Sequence, residues 1–171
     1  MIVSDKTALF IDGSNLHYTA KALGFDIDFK RLIEEFEKRG SILRSYYTTI
    51  SEGTESAVRP LVDWLDYNGF AVRAKPAKDF DDGDGRRKIK RNIGVELAVD
   101  ALEIAKHLDR LVLFSGDGDF RSLVEAVQRR RAHVTVVSSV RTRPPMVADE
   151  LRRQADAFLE LDDLKAAIGR H

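Results

Sequence analysis

Short apolar runs alternate along this chain with stretches whose apolar residues recur every three or four positions. Ala8-Leu9-Phe10-Ile11 and Leu111-Val112-Leu113-Phe114 are continuous apolar runs, the pattern of strands covered on both faces. The pattern predicts strands over 7–11, 42–49, 70–75, 110–114 and 134–138, with a further short strand over 157–161. Helical spacing predicts helices over 16–23, 29–38, 54–68, 95–107, 120–130, 146–154 and 164–169. Ser14 or Asn15 is positioned to cap the first helix and Asp28 the second, where Phe29, Leu32, Ile33 and Phe36 share a face. Gly40 is expected to end that second helix, and Asn68-Gly69 the third. The helix over 95–107 carries two stripes. Val95, Ala98, Val99, Leu102, Ala105 and Leu108 form an apolar one, while Glu96, Asp100, Glu103 and His107 form a polar one. Residues 79–92 are expected to form a polar, glycine-containing surface loop.

Strands alternating with helices predict an α/β fold with a parallel sheet of about five strands, covered by helices on both faces. A chain of 171 residues fits one domain with an ordinary core. There is no cysteine, so disulfides and thiolate metal sites are excluded. Together with an N-terminus that lacks the build of a signal peptide, this leads us to expect a cytoplasmic protein. No apolar run approaches the ~20 residues of a membrane helix. The formal charge is zero, from 28 basic and 28 acidic residues, which argues against coating nucleic acid by bulk charge but leaves room for local patches. Phe158 and Leu159 near the C-terminus suit a homodimer contact and core packing equally well.

In a parallel sheet, ligands sit beyond the carboxyl ends of the strands. Two of the apolar runs end in acidic, glycine-bearing turns: Asp12-Gly13-Ser14-Asn15 and Ser115-Gly116-Asp117-Gly118-Asp119. Asp, Gly, Ser and Asn are favoured in strand-to-helix turns for purely structural reasons, and an Asp at a helix start answers the helix dipole. That explanation accounts for one Asp well and for the Asp117–Asp119 pair less well. Brought to one edge, Asp12, Asp117 and Asp119 would repel one another unless a hard cation such as Mg²⁺ or Mn²⁺ neutralised them. Gly116 and Gly118 are expected to free the backbone for that convergence. Asn15 would orient the metal or a phosphate.

Arg86, Arg87, Lys88, Lys90 and Arg91 place five cations within six residues, a run suited to gripping a phosphodiester backbone. Arg129-Arg130-Arg131 and Arg152-Arg153 are weaker signals of the same kind. The acidic stretch 79–85 resembles a calcium loop but fails its register, and His17 and His107 read as ordinary residues. No Walker loop, GxGxxG or Ser-His-Asp arrangement is present. A phosphatase of the type needing Asp-x-Asp directly after its first strand is disfavoured, because Asp12 is followed by Gly13-Ser14.

The Asp12-Gly13-Ser14-Asn15 turn and the 115–120 segment closely resemble the NYN domain family, and more narrowly the LabA-like (DUF88) proteins of the PIN-like superfamily. Val95-Glu96-Leu97-Ala98-Val99-Asp100 and the tail from Pro144 to Leu151 match as well, in the same order. The resemblance implies a PIN-like (Rossmann-like) three-layer α/β/α fold over 1–171, with a C-terminal helical and short-strand extension from about residue 144. It also implies a Mg²⁺- or Mn²⁺-dependent ribonuclease acting on RNA, single-stranded by expectation. Asp12, Asp117 and Asp119 match the family's acidic centre, and Asn15 the Asn after its first Asp. One position departs: Gly94 stands where an acidic residue is expected, and Arg91 replaces a usual Gly. Glu96 and Asp100 are the nearest accessory acids. A weakened pseudo-nuclease, binding RNA or protein as a regulatory module, is therefore the alternative to an active enzyme.

Overall fold

The strand Lys6–Asp12 (β1) divides the interior into two cores. In the computed structural model, which describes residues 5–51, 59–76, 78–81, 87–90 and 93–170, Ala8 and Phe10 enter one core while Leu9 and Ile11 enter the other. Successive strand side chains point to opposite faces, and here both faces are covered. After β1 come α1 (Gly13–Ala22), α2 (Phe29–Glu37), β2 (Ser41–Ser51), α3 (Arg59–Tyr67) and β3 (Ala71–Pro76). β4 (Lys78–Asp81) and β5 (Arg87–Lys90) form an antiparallel hairpin. Then follow α4 (Gly94–Ile104), a 3₁₀ turn (Ala105–His107), β6 (Arg110–Phe114), a second 3₁₀ turn (Gly118–Phe120) and α5 (Arg121–Arg129). The chain continues through β7 (His133–Ser138), α6 (Asp149–Gln154), β8 (Ala157–Glu160) and α7 (Leu161–Ile168).

The main sheet has six strands in the order β3-β2-β1-β6-β7-β8, and every neighbouring pair is parallel. The short strand over 157–161 takes its place as the edge strand β8, so the sheet exceeds the expected five. α4, α5 and α6 bury Leu97, Val124 and Leu151 against one face; α1, α2 and α7 bury Leu16, Leu32 and Leu164 against the other. The direction of winding reverses between β1 and β6. That reversal leaves a crevice at their carboxyl ends, where open α/β sheets bind ligands.

Several local expectations are corrected. α1 begins at Gly13, because Asp12 itself is the N-cap and accepts the Asn15 N–H; Ser14 and Asn15 lie inside the first turn. α2 closes at Glu37 without a left-handed residue, and Gly40 is needed for space: a Cβ there would lie 2.9 Å from Thr7 Oγ1. Gly69 ends α3 as expected, at φ +84°; the first part of the predicted helix, 54–58, is outside the described residues. The expected loop over 79–92 contains both hairpin strands, whose register sets Asp81 opposite Arg87 and Lys78 opposite Lys90. α4 is rotated from its expected facing. Leu97 and Ala101 are buried, whereas Val95 and Val99 are 64% and 50% exposed. Phe158 and Leu159 are half-buried, each against one of the two cores, so core packing accounts for them. Among the described residues, no helix is long and apolar enough to cross a membrane.

Candidate active site

Asp12 is the last residue of β1 and continues the alternation of Ala8 and Phe10, which turns its carboxylate toward the face covered by α4 and α5. It is only 6% exposed. The Ser115 hydroxyl donates to Asp12 Oδ2 at 2.8 Å, and the Asn15 N–H donates more weakly to Oδ1 at 3.4 Å. Ser115 Oγ in turn accepts the Asp117 N–H at 3.2 Å. Asn15 Oδ1 accepts the Gly116 N–H at 3.0 Å, which ties the first turn of α1 to the loop after β6. Asp117 Oδ1 accepts the Asp119 N–H at 2.9 Å and so caps the 3₁₀ turn. The two acidic turns are therefore joined across the switch point by Ser115 and Asn15.

Burial pushes the Asp12 carboxyl up from 3.8 to about 6, and the charge of Asp117 adds to the rise; the Ser115 hydroxyl and the Asn15 N–H pull it part of the way back. Tyr47 backs the site from the opposite face of the sheet. A Cβ on Gly13 would lie 2.6 Å from its hydroxyl, so only glycine fits between the ring and α1. Burial pushes the Tyr47 phenol up to about 12, with the Asp12 charge contributing, and it stays neutral.

Gly116 and Gly118 serve close approach; neither takes a positive φ. A Cβ on Gly116 would collide with the Met146 carbonyl and lie 2.8 Å from Ser138 Oγ. A Cβ on Gly118 would collide with the Glu150 carboxylate. The segment over 139–148 thus forms a strap against the acidic turn. The Ala148 N–H donates to the Gly116 carbonyl at 2.9 Å, and the Met146 and Val147 N–H groups donate to the Ser139 carbonyl.

The donor set suits a small hard cation. Asp12 is desolvated and repelled by Asp117, and Mg²⁺ commonly takes one or two protein carboxylates with water and substrate phosphate oxygens completing its shell. Among the described residues, no three Asp, Glu or His side chains form a cluster able to hold a metal by themselves. Asp119 is exposed and joins the network through its backbone N–H. Glu96 and Asp100 are engaged with cations of β3. Lys75 Nζ lies 3.0 Å from Glu96, and Arg73 forks onto Asp100 at 3.1 and 3.4 Å. Register sets Asp12 beside Thr48 and Thr48 beside Arg73, so the Arg73 backbone lies two strands, about 10 Å, across the sheet from that of Asp12. Gly94, the first residue of α4, offers no side chain. Arg87, Lys88 and Lys90 stand on β5, while Arg86 and Arg91 lie outside the described residues. His17 and His107 are exposed, as ordinary surface residues are.

Ser115, Tyr47 and Glu150 belong to this site although the sequence assigned them no role. Ser115 directly follows β6 and could have been read from that position. Tyr47 and Glu150 arrive through β2 and α6, with no local pattern to announce them.

The fold is doubly wound α/β, with a buried, Ser-linked carboxylate at its switch point, and the sequence carries no glycine fingerprint of a dinucleotide site. The NYN domain model matches residues 6–162. The low amplitude and bright protein LabA of Synechococcus elongatus is 34% identical over 168 residues, spanning 95% of this chain and 87% of LabA. The crystal structure of a Vibrio parahaemolyticus protein of unknown function matches with a TM-score of 0.79 and 30% identity, over 95% of this chain and 96% of that one. The chain belongs to the NYN domain family, as a LabA-like member with that domain's PIN-like, nuclease-type α/β fold.

Proposed function

We propose that this chain is a divalent-metal-dependent ribonuclease that cuts single-stranded RNA at the crevice between β1 and β6. The observation that carries the reading is the buried Asp12 carboxylate, linked through Ser115 to the Asp117 turn and held against its own desolvation. Asp12 and Asp117 would hold Mg²⁺ or Mn²⁺, with Asp119 at the solvent side. Bound there, the ion would neutralise the scissile phosphate and supply a hydroxide near neutral pH. Ser115 keeps one Asp12 oxygen oriented, and Asn15 fixes the distance between the two acidic turns. Tyr47 excludes water from the far side of Gly13. The cations at 86–91 would grip the RNA backbone.

A second reading, a pseudo-nuclease that binds RNA or a protein without cutting, draws on Gly94. The acids nearest to it in sequence, Glu96 and Asp100, already answer Lys75 and Arg73. Cleavage of a labelled single-stranded RNA with Mn²⁺, Mg²⁺ or EDTA separates the two. Metal-dependent cutting that Asp117→Asn lowers by roughly 10²-fold or more, about 2.7 kcal/mol of barrier, is the expected result. An inert parent that gains activity in Gly94→Asp would establish the second reading instead.

A further inference from the structure

A groove of about 410 Å³ opens at the carboxyl end of the β7–β8 side of the sheet, with walls from Arg39, Arg141 and Arg152. Two of these cations are held in an unusual way. The Arg152 guanidinium lies 4.9 Å from the centre of the Phe158 ring, and that of Arg39 lies 5.3 Å from the centre of Phe36. Neither ion-pairs with a carboxylate among the described residues. A guanidinium stacked on a ring has little left to lose in side-chain freedom, and its planar fork of N–H donors matches phosphate oxygens.

The acids of the groove are already engaged. Glu160 accepts the Val140 N–H at one oxygen and the Asp162 N–H at the other, at 2.9 and 3.0 Å. Asp163 and Asp162 both accept from one nitrogen of Arg141, at 2.7 and 3.2 Å. Arg141 is thereby fixed as a wall, Arg39 and Arg152 have no ion-pair partner among the described residues, and the three arginines of the groove outnumber its two lining acids, Glu160 and Asp163.

The position of the groove links it to the acidic turns. Val140 and Arg141 begin the strap that packs on Gly116, and β8 lies two strands beyond β6, about 10 Å away. We propose that this groove is a second RNA subsite, which carries the strand beyond the β1–β6 crevice and holds its phosphates with Arg39 and Arg152. The assignment rests on the ribonuclease reading for the identity of the strand. An acidic polypeptide is the competing occupant; continuity with a phosphate-directed crevice favours RNA.

Binding without cutting tests it. Fluorescence anisotropy with a labelled 15-nucleotide RNA and with a tetranucleotide would be read in EDTA, for the parent and for Arg39→Gln/Arg152→Gln. Lys106→Gln, ahead of the opposite end of β6, serves as the control, and circular dichroism confirms folding. Loss of two phosphate contacts should weaken the 15-mer roughly ten- to thirtyfold at 0.1 M salt and lower the salt slope by about 1.4. The tetranucleotide and the control should change little. Parent-like affinity and slope in the double variant would overturn the subsite, even if the parent cuts RNA. Equal competition by poly-glutamate of matched charge would overturn RNA as its occupant. A parent that binds the 15-mer through these arginines but never cuts would support the subsite and refute the nuclease reading.

Discussion

Asp12 concentrates the physics of the site in one residue. Its carboxyl titrates near 3.8 when unfolded and at about 6 in the fold, so between those values the folded chain binds more protons than the unfolded one. The contribution to stability is fully present below about pH 4 and is lost as pH rises through about 6. At pH 8 the ionised carboxylate costs about 3 kcal/mol, because each pH unit between the unfolded and folded values is worth about 1.36 kcal/mol. Asp12→Asn keeps the volume and removes the charge, and it loses one acceptor toward the Asn15 N–H. We expect it to raise stability at pH 8 by roughly 1–3 kcal/mol while leaving pH 4 little changed. Urea melts of parent and variant at both pH values measure this directly, and an equal gain at both would sink the assigned cause. The two acidic turns were legible in the sequence because each follows a continuous apolar run. That Ser115 and Asn15 would join them was not legible, because those hydrogen bonds exist only once β1 and β6 are neighbours.

At the scale of elements, sequence and structure agree where the local signal and the tertiary demand coincide. The strand over 110–114 is β6 residue for residue, since Arg110 and Ser115 bound an apolar run that the sheet buries on both faces. They part where tertiary contacts choose among local options. α4 has more apolar positions than its core face can use, and Leu97 and Ala101, not Val95 and Val99, enter the core. α6 begins at Asp149 because 146–148 commit their N–H groups to Ser139 and Gly116. The end of α5 carries a local conflict. Arg131 sits at φ +69°, a left-handed conformation that disfavours any Cβ. Arg131→Gly removes that cost and adds back some unfolded-state entropy. A net gain of a few tenths to about 1 kcal/mol is expected in thermal or urea unfolding, with RNA cleavage unchanged; a loss would show that the Arg131 side chain contributes more than its backbone costs.

Across the whole molecule, the two cores hold β1 and β6 side by side, so that the acidic turns at their carboxyl ends meet at the switch point. The fold thus places a desolvated carboxylate at the switch point, and on the proposed metal-binding reading the stability deficit at Asp12 is a reserve that a cation would release. A cation that binds only the folded chain stabilises it by about 2.7 kcal/mol at a hundredfold excess over Kd. For a chain of this size each kcal/mol moves Tm by about 2–4 °C, so Mn²⁺ should raise Tm by roughly 5–10 °C at pH 8. At pH 5 Asp12 is largely protonated, and the gain in Tm should shrink, because the ion must then displace a proton to bind. Asp12→Asn should abolish most of the gain at either pH. Scanning calorimetry with and without Mn²⁺ reads this without any RNA present. A pH-independent gain that survives in Asp12→Asn would place the ion elsewhere on the molecule and remove the metal from the β1–β6 crevice.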